Sequence, residues 1–174
     1  MQQVLVVVDM QEIFFTENQN LIYEYEKLVQ HVNTVIDWAR NNQIPVVFIQ
    51  HTDTDPSDEM AKDKPGWYLH KGLNRTNTDK VIQKFTWDAF YNTELGEYLK
   101  VLETEQIIFV GAQTEFCLDT TMRSAYSHGY HNNILVEGTN STLDSAVLKA
   151  EQIIKHHEIV CNKRFVPIQP LGNY

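Results

Sequence analysis

Short apolar runs alternate along the chain with longer stretches whose apolar residues recur every three or four positions. VLVVVD at 4–9 is a continuous β-branched run, the pattern of a strand covered on both faces. Over 21–42, Leu21, Leu28, Val32, Val35, Ile36 and Ala39 make a helical stripe. PVVFIQ at 45–50 predicts a second buried strand, with Pro45 at the first position, where a strand tolerates it. VIQK at 81–84 predicts a short strand, 93–103 a helix, and QIIFVG at 106–111 a third strong strand. FCLDTTMRSAYSHG then predicts a helix closed by Gly129. NNILVE at 132–137 predicts another strand. A helix over 142–156 follows, capped by Ser141 or Thr142 and striped by Leu143, Ala146, Val147, Ala150, Ile153 and Ile154. EIVCN at 158–162 predicts a last short strand, and the tail VPIQPLGNY reads as irregular. The polar stretch 51–79, punctuated by Pro56, Pro65, Gly66 and Gly72, is too long for a simple connector.

Strands alternating with helices imply an α/β fold, a mainly parallel sheet with helices on both faces and right-handed crossovers. Ligands in such sheets bind at the carboxyl ends of the strands, near a switch in strand order. Asp9, Gln50 with His51, Lys84 and Gly111 end predicted strands, and Cys117 follows Gly111 where strand gives way to helix. One sheet edge therefore gathers an acid, an amine and a thiol.

Composition narrows the setting. With 174 residues the chain reads as one domain, 1–174, able to bury about 70% of its unfolded surface. A net charge of −9 argues against nucleic acid and against an anionic membrane surface as partner. The opening MQQVLVVVDMQ lacks a basic segment and a long apolar run, so no secretory signal and no membrane span are expected. Two cysteines, Cys117 and Cys161, make no disulfide framework, and a cytoplasmic location with reduced thiols is the expectation. Cys161 reads as core.

A free thiol titrates near about 8.5 and is mostly protonated at neutral pH. A helix amino terminus and a nearby ammonium both favour the thiolate, so Cys117 beside Lys84 is expected to titrate low. Asp9 can take the thiol proton and return it to a leaving group. Backbone N–H groups over 111–117 can face a developing oxyanion. Each residue also has an ordinary use: a small buried hydrophobe, a turn cap, a solvated lysine. Their shared edge is what favours chemistry, namely hydrolysis through a covalent thioester.

VVVDMQ, KFTWDAF and GAQTEFCLDTTMRSAYSHGY, in that order, resemble the isochorismatase-like cysteine hydrolase family over nearly the whole chain. The resemblance implies a three-layer α/β/α sandwich around a six-stranded sheet. It also implies a catalytic triad of Asp9 as acid/base, Lys84 as electrostatic partner and Cys117 as nucleophile. A cis Ala112–Gln113 peptide is implied too, with an oxyanion hole from the Gln113 and Cys117 N–H groups. The substrate implied is a small amide, ureido or carbamoyl compound. Enol-ether hydrolysis of the isochorismate type and an idle binding member are the alternatives.

The nicotinamidases of that family hold a metal through an Asp-x-His pair after the second strand. Here the order is reversed, His51 then Asp53, and His70 is the next histidine. A ligand set of His51, Asp53 or Asp55, and His70 is conceivable, but no metal and no cofactor are expected. Phe15, His51 and Trp87 are the expected substrate-pocket residues. Arg123 reads as an internal ion-pair partner. A homo-oligomer, dimer or tetramer, is expected, with 85–91 and 121–130 as contact segments.

Overall fold

The computed structural model describes residues 1–16 and 21–174. Six parallel strands form one sheet in the order β3-β2-β1-β4-β5-β6. They are β1 (Gln3–Val8), β2 (Val46–His51), β3 (Lys80–Lys84), β4 (Gln106–Ala112), β5 (Ile134–Ser141) and β6 (Ile168–Gln169). The helices are α1 (Tyr25–Asn41), α2 (Leu95–Val101), α3 (Asp119–Ser127) and α4 (Ala150–Cys161).

The β-branched runs produce the central strands because both faces are covered. Val4, Val6 and Val8 of β1 enter one core with Ile49, Ile107 and Phe109, closed by Leu95 and Leu99 of α2, Met122 and Ala125 of α3, and Cys161 of α4. Leu5 and Val7 enter the other with Phe48, Ile108 and Val110, beneath Leu28, Val32, Val35, Ile36 and Ala39 of α1. Each Val, Leu, Ile, Phe or Met side chain among them contributes about 1.5–3 kcal/mol of apolar burial, an upper value. Leu21 lies outside α1, which begins after Glu24 at φ 47°.

The C-terminal elements depart from the pattern. No strand forms at 158–162, since α4 runs through Cys161. Nor does a helix start at 142. β5 continues to Ser141, and Asp144 accepts the Ala150 N–H at 2.9 Å, marking the true start of α4. The tail is not wholly irregular: Ile168 and Gln169 pair in parallel with Leu135 and Val136. Pro167 and Pro170 bracket this two-residue edge strand, which leaves it too short for a period-2 pattern to register.

β1 and β4 are neighbours although β1 leads to β2 and β3 leads to β4, so the strand order switches between them. The two backbones approach so closely that a Cβ on Gly111 would lie 2.1 Å from the Val8 carbonyl oxygen. Gly111 also has φ +126°, which disfavours any other residue. The switch point therefore carries a wall of backbone, with Asp9 directly after β1 on one side and Gly111 on the other. No helix among the described residues is long and apolar enough to cross a membrane.

Candidate active site

Register brings the polar strand ends level. His51 pairs with Lys84, and Val8 pairs with both Ile49 and Gly111, so Asp9 emerges beside Gln50 and Ala112. Asp9 takes φ 45°, a left-handed conformation that Asp adopts more readily than most residues. The Ala112–Gln113 peptide is cis. Thr114–Leu118 then form a π-helical turn, and the Gln113 carbonyl accepts N–H groups of both Phe116 and Leu118 at 3.2 Å. Cys117 thus sits inside this turn, just ahead of α3, rather than in regular α-helix.

The turn is tied down by polar contacts. The Thr114 hydroxyl donates to Asn140 Oδ1 at 2.7 Å, and Asn140 Nδ2 donates to Glu158 Oε1 at 2.8 Å. Asp119, two residues past Cys117, pairs with Arg123 at 2.8 Å and accepts the Cys161 thiol at 3.2 Å. Cys161 is fully buried and Arg123 makes an internal ion pair, both as the sequence pattern suggests.

Three chemical groups converge. Lys84 Nζ lies 2.6 Å from Asp9 Oδ2 and 3.1 Å from Cys117 Sγ. Both charged side chains are shut away from solvent, Lys84 at 0% and Asp9 at 1% exposure. Nζ also donates to the Thr86 carbonyl at 3.0 Å and contacts His51 Nδ1 at 3.3 Å. The Asp9–Lys84 contact is a close ion pair whose angles fall outside a good hydrogen bond, and Asp9 Oδ1 has no partner among the described residues. The Asp9 carboxylate and the Cys117 thiol are near enough to interact directly, so a proton has a path between them.

The electrostatics reverse one sequence expectation. Burial first, and then the Asp9 carboxylate, push the Cys117 thiol well above its ordinary value, although Lys84 pulls the other way. The ammonium field is largely answered by Asp9, so little of it is left to stabilise a thiolate. Together these influences favour the thiol over the thiolate at Cys117. Burial pulls the Lys84 ammonium down, but Asp9 and Cys117 outweigh it and Lys84 is raised. Burial, then Lys84, push His51 below its usual value, so its imidazole is neutral near pH 7.

Of the expected pocket residues, His51 is at the site, facing Lys84 with one ring nitrogen and lying 3.9 Å from Asp53 with the other. Phe15 stacks on His70 at 4.0 Å between ring centres. Trp87 is 60% exposed. His70 pairs with Glu12 at 3.1 Å, so it is not gathered with His51 and Asp53. Asp9, His51 and Cys117 do bring ligand-type atoms within 4.8 Å of one another. Lys84 Nζ touches all three, so the positive charge among them comes from the chain itself.

Gln11 is a site residue without an assigned role in the sequence reading, although VVVDMQ contains it. Fully buried, it accepts the His51 N–H at 2.7 Å and donates to the His51 carbonyl at 2.9 Å and the Trp67 carbonyl at 2.7 Å. A Gln closing a strand run of valines is the signal that could have marked it. Trp67 is itself buried, donating to the Thr52 hydroxyl at 2.8 Å, so the long loop is anchored over the strand ends. A cleft of about 510 Å³ between α1, β5 and α4, lined by Tyr23, Lys27 and Glu158 among others, includes none of the three converging groups. Chemistry, not cleft size, marks the site.

An open parallel sheet with a thiol, a carboxylate and an ammonium at its switch point defines a three-layer α/β protein with a polar site at its strand ends. The isochorismatase domain family matches residues 3–154, and the chain belongs to that family. It is similar to a solved isochorismatase family protein at 34% identity and TM-score 0.89, over 96% of this chain and 97% of that one. It is 25% identical over 157 residues to the isochorismatase family protein YddQ of Bacillus subtilis, covering 88% of this chain and 87% of the relative. Nicotinamidase 3 of Arabidopsis thaliana is 27% identical over 160 residues, covering 83% and 77% respectively.

Proposed function

We propose that the protein is a cysteine-dependent hydrolase of a small amide, ureido or carbamoyl compound. The observation that carries the reading is Lys84 Nζ lying 2.6 Å from Asp9 Oδ2 and 3.1 Å from Cys117 Sγ at the switch point. Similarity to a nicotinamidase supports C–N hydrolysis as the class.

In this reading Asp9 Oδ1 takes the thiol proton as Sγ bonds to the carbonyl carbon. The carbonyl oxygen becomes an oxyanion facing the Gln113 and Cys117 N–H groups. The intermediate collapses by breaking the C–N bond, and the leaving nitrogen takes the proton from Asp9. Water then attacks the thioester, giving one proton to Asp9. The acyl group leaves as an acid, and Sγ regains its proton. Lys84 stays charged throughout, steadying the carboxylate and thiolate in turn.

A panel of small primary amides, ureides and carbamoyl compounds, read by ammonia release, tests this. Activity is expected in the parent and its loss, by a factor on the order of 10³ or more, in Cys117→Ala. Pyruvate release from isochorismate without ammonia release from any amide would move the enol-ether reading ahead.

We further propose a homo-oligomer that covers the exposed Phe85, Trp87 and Tyr91. Light scattering is expected to give a multiple of the 20.3 kDa chain mass, and a monomer mass at micromolar concentration overturns it.

A further inference from the structure

An ammonium carries three protons. Among the described residues, Lys84 Nζ has four acceptors around it: Asp9 Oδ2 at 2.6 Å, the Thr86 carbonyl at 3.0 Å, Cys117 Sγ at 3.1 Å and His51 Nδ1 at 3.3 Å. The carboxylate is charged and nearest, and the carbonyl is held by the backbone. The two weakest acceptors, a thiol sulfur and a neutral imidazole nitrogen, are left to share the last proton. Resting on the reading of Cys117 as nucleophile, we infer that His51 is a positioning residue: its Nδ1 holds the third Lys84 proton while Cys117 is a thiol and yields it to Sγ when the thiolate forms.

The local structure fits that task. The His51 backbone is gripped at both N–H and carbonyl by the buried Gln11 side chain, which fixes the point from which the ring projects. Nδ1 can accept only if the ring proton sits on Nε2, the nitrogen facing Asp53. A neutral ring is needed as well: burial and then the neighbouring ammonium favour it, and they outweigh Asp9, Asp53 and the Thr86 carbonyl, which favour the charged ring. The charged and titratable groups facing the ring are Lys84 from β3, Asp9 after β1, Asp53 after β2 and Cys117 after β4. The consequence is a restrained nucleophile. With His51 present the ammonium is diverted from sulfur until the proton has left, which suits a thiol that stays protonated at rest.

The test is the rate of Cys117 alkylation by iodoacetamide against pH in the parent, His51→Leu and His51→Asn, with mass spectrometry to assign the site. Leu and Asn have nearly the same shape, but only Asn offers an acceptor where Nδ1 stood. His51→Leu commits the third proton to sulfur. It is expected to alkylate about fivefold faster at pH 7, the scale of one hydrogen bond, with its pH profile moved to lower pH. His51→Asn is expected to return the rate toward the parent. A reactive Cys117 with superimposable profiles in parent and His51→Leu overturns this inference alone, and so does a His51→Asn profile that follows His51→Leu. If His51→Leu does not fold, the Asn variant still decides, because a profile displaced from the parent counts against an acceptor role. A Cys117 inert in the folded parent overturns the nucleophile reading and this inference together.

Discussion

Lys84→Met is expected to lose both turnover and stability. Lys84 and Asp9 are both shut away from solvent and lie 2.6 Å apart. Met keeps the length and apolar stem of the side chain but leaves the Asp9 carboxylate buried without its counter-charge. Breaking a buried pair from one side costs about 3–5 kcal/mol, because the remaining charge is uncompensated. The Asp9→Asn/Lys84→Met double variant removes both charges and is expected to recover much of that loss. Urea unfolding with unchanged slope in the parent, Asp9→Asn, Lys84→Met and the double variant checks the cycle. Turnover should fall by a factor on the order of 10²–10³, the scale of removing one fixed charge from a reacting centre. The double variant should stay inactive although it regains stability. A single variant as stable and active as the parent would remove Lys84 from the site.

Most of what positions this site is legible in the sequence because two-sided burial writes itself into the central strands. The runs at 4–9, 45–50 and 106–111 leave no polar face, and the residue that ends or follows each run falls at one edge. Asp9, Lys84 and Cys117 could be brought to a common place on that ground before any geometry was known. The edges of the sheet were less readable. β6 has two residues between prolines, and the apolar spacing of Leu143, Ala146 and Val147 imitates a helix although Val147 is 87% exposed. A helical spacing records which residues could share a face, not whether a neighbour exists to cover it. The protonation state of Cys117 was illegible for a different reason. Sequence places a helix and a lysine near the thiol, which together predict a thiolate. It does not reveal that the lysine is answered by a carboxylate at 2.6 Å and that the whole group is desolvated. His51 and Gln11 could be placed near the strand ends, but the crowding of four acceptors around one ammonium is a matter of tenths of an ångström.

Asp9→Asn is expected to separate the reactivity of the thiol from turnover. In the parent, burial and then the carboxylate raise the Cys117 thiol, while Lys84 lowers it. Replacing the carboxylate by a neutral amide removes its influence and leaves burial and Lys84 in place, so more thiolate should be present at a given pH. Alkylation of Cys117 at neutral pH should therefore be no slower than in the parent, and its profile should move toward lower pH. Hydrolysis should move the opposite way. Without Asp9 no group at the site takes the thiol proton and returns it to the leaving nitrogen, a contribution of roughly 10²–10⁴ in rate. The two readouts are taken on the same preparation, with circular dichroism to verify folding, since Lys84 then lacks its buried counter-ion. If alkylation and turnover fall together, the carboxylate sustains a pre-formed thiolate, and the resting state would be an ion pair. Rising alkylation with collapsing turnover instead makes Asp9 the group that carries the proton from sulfur to nitrogen.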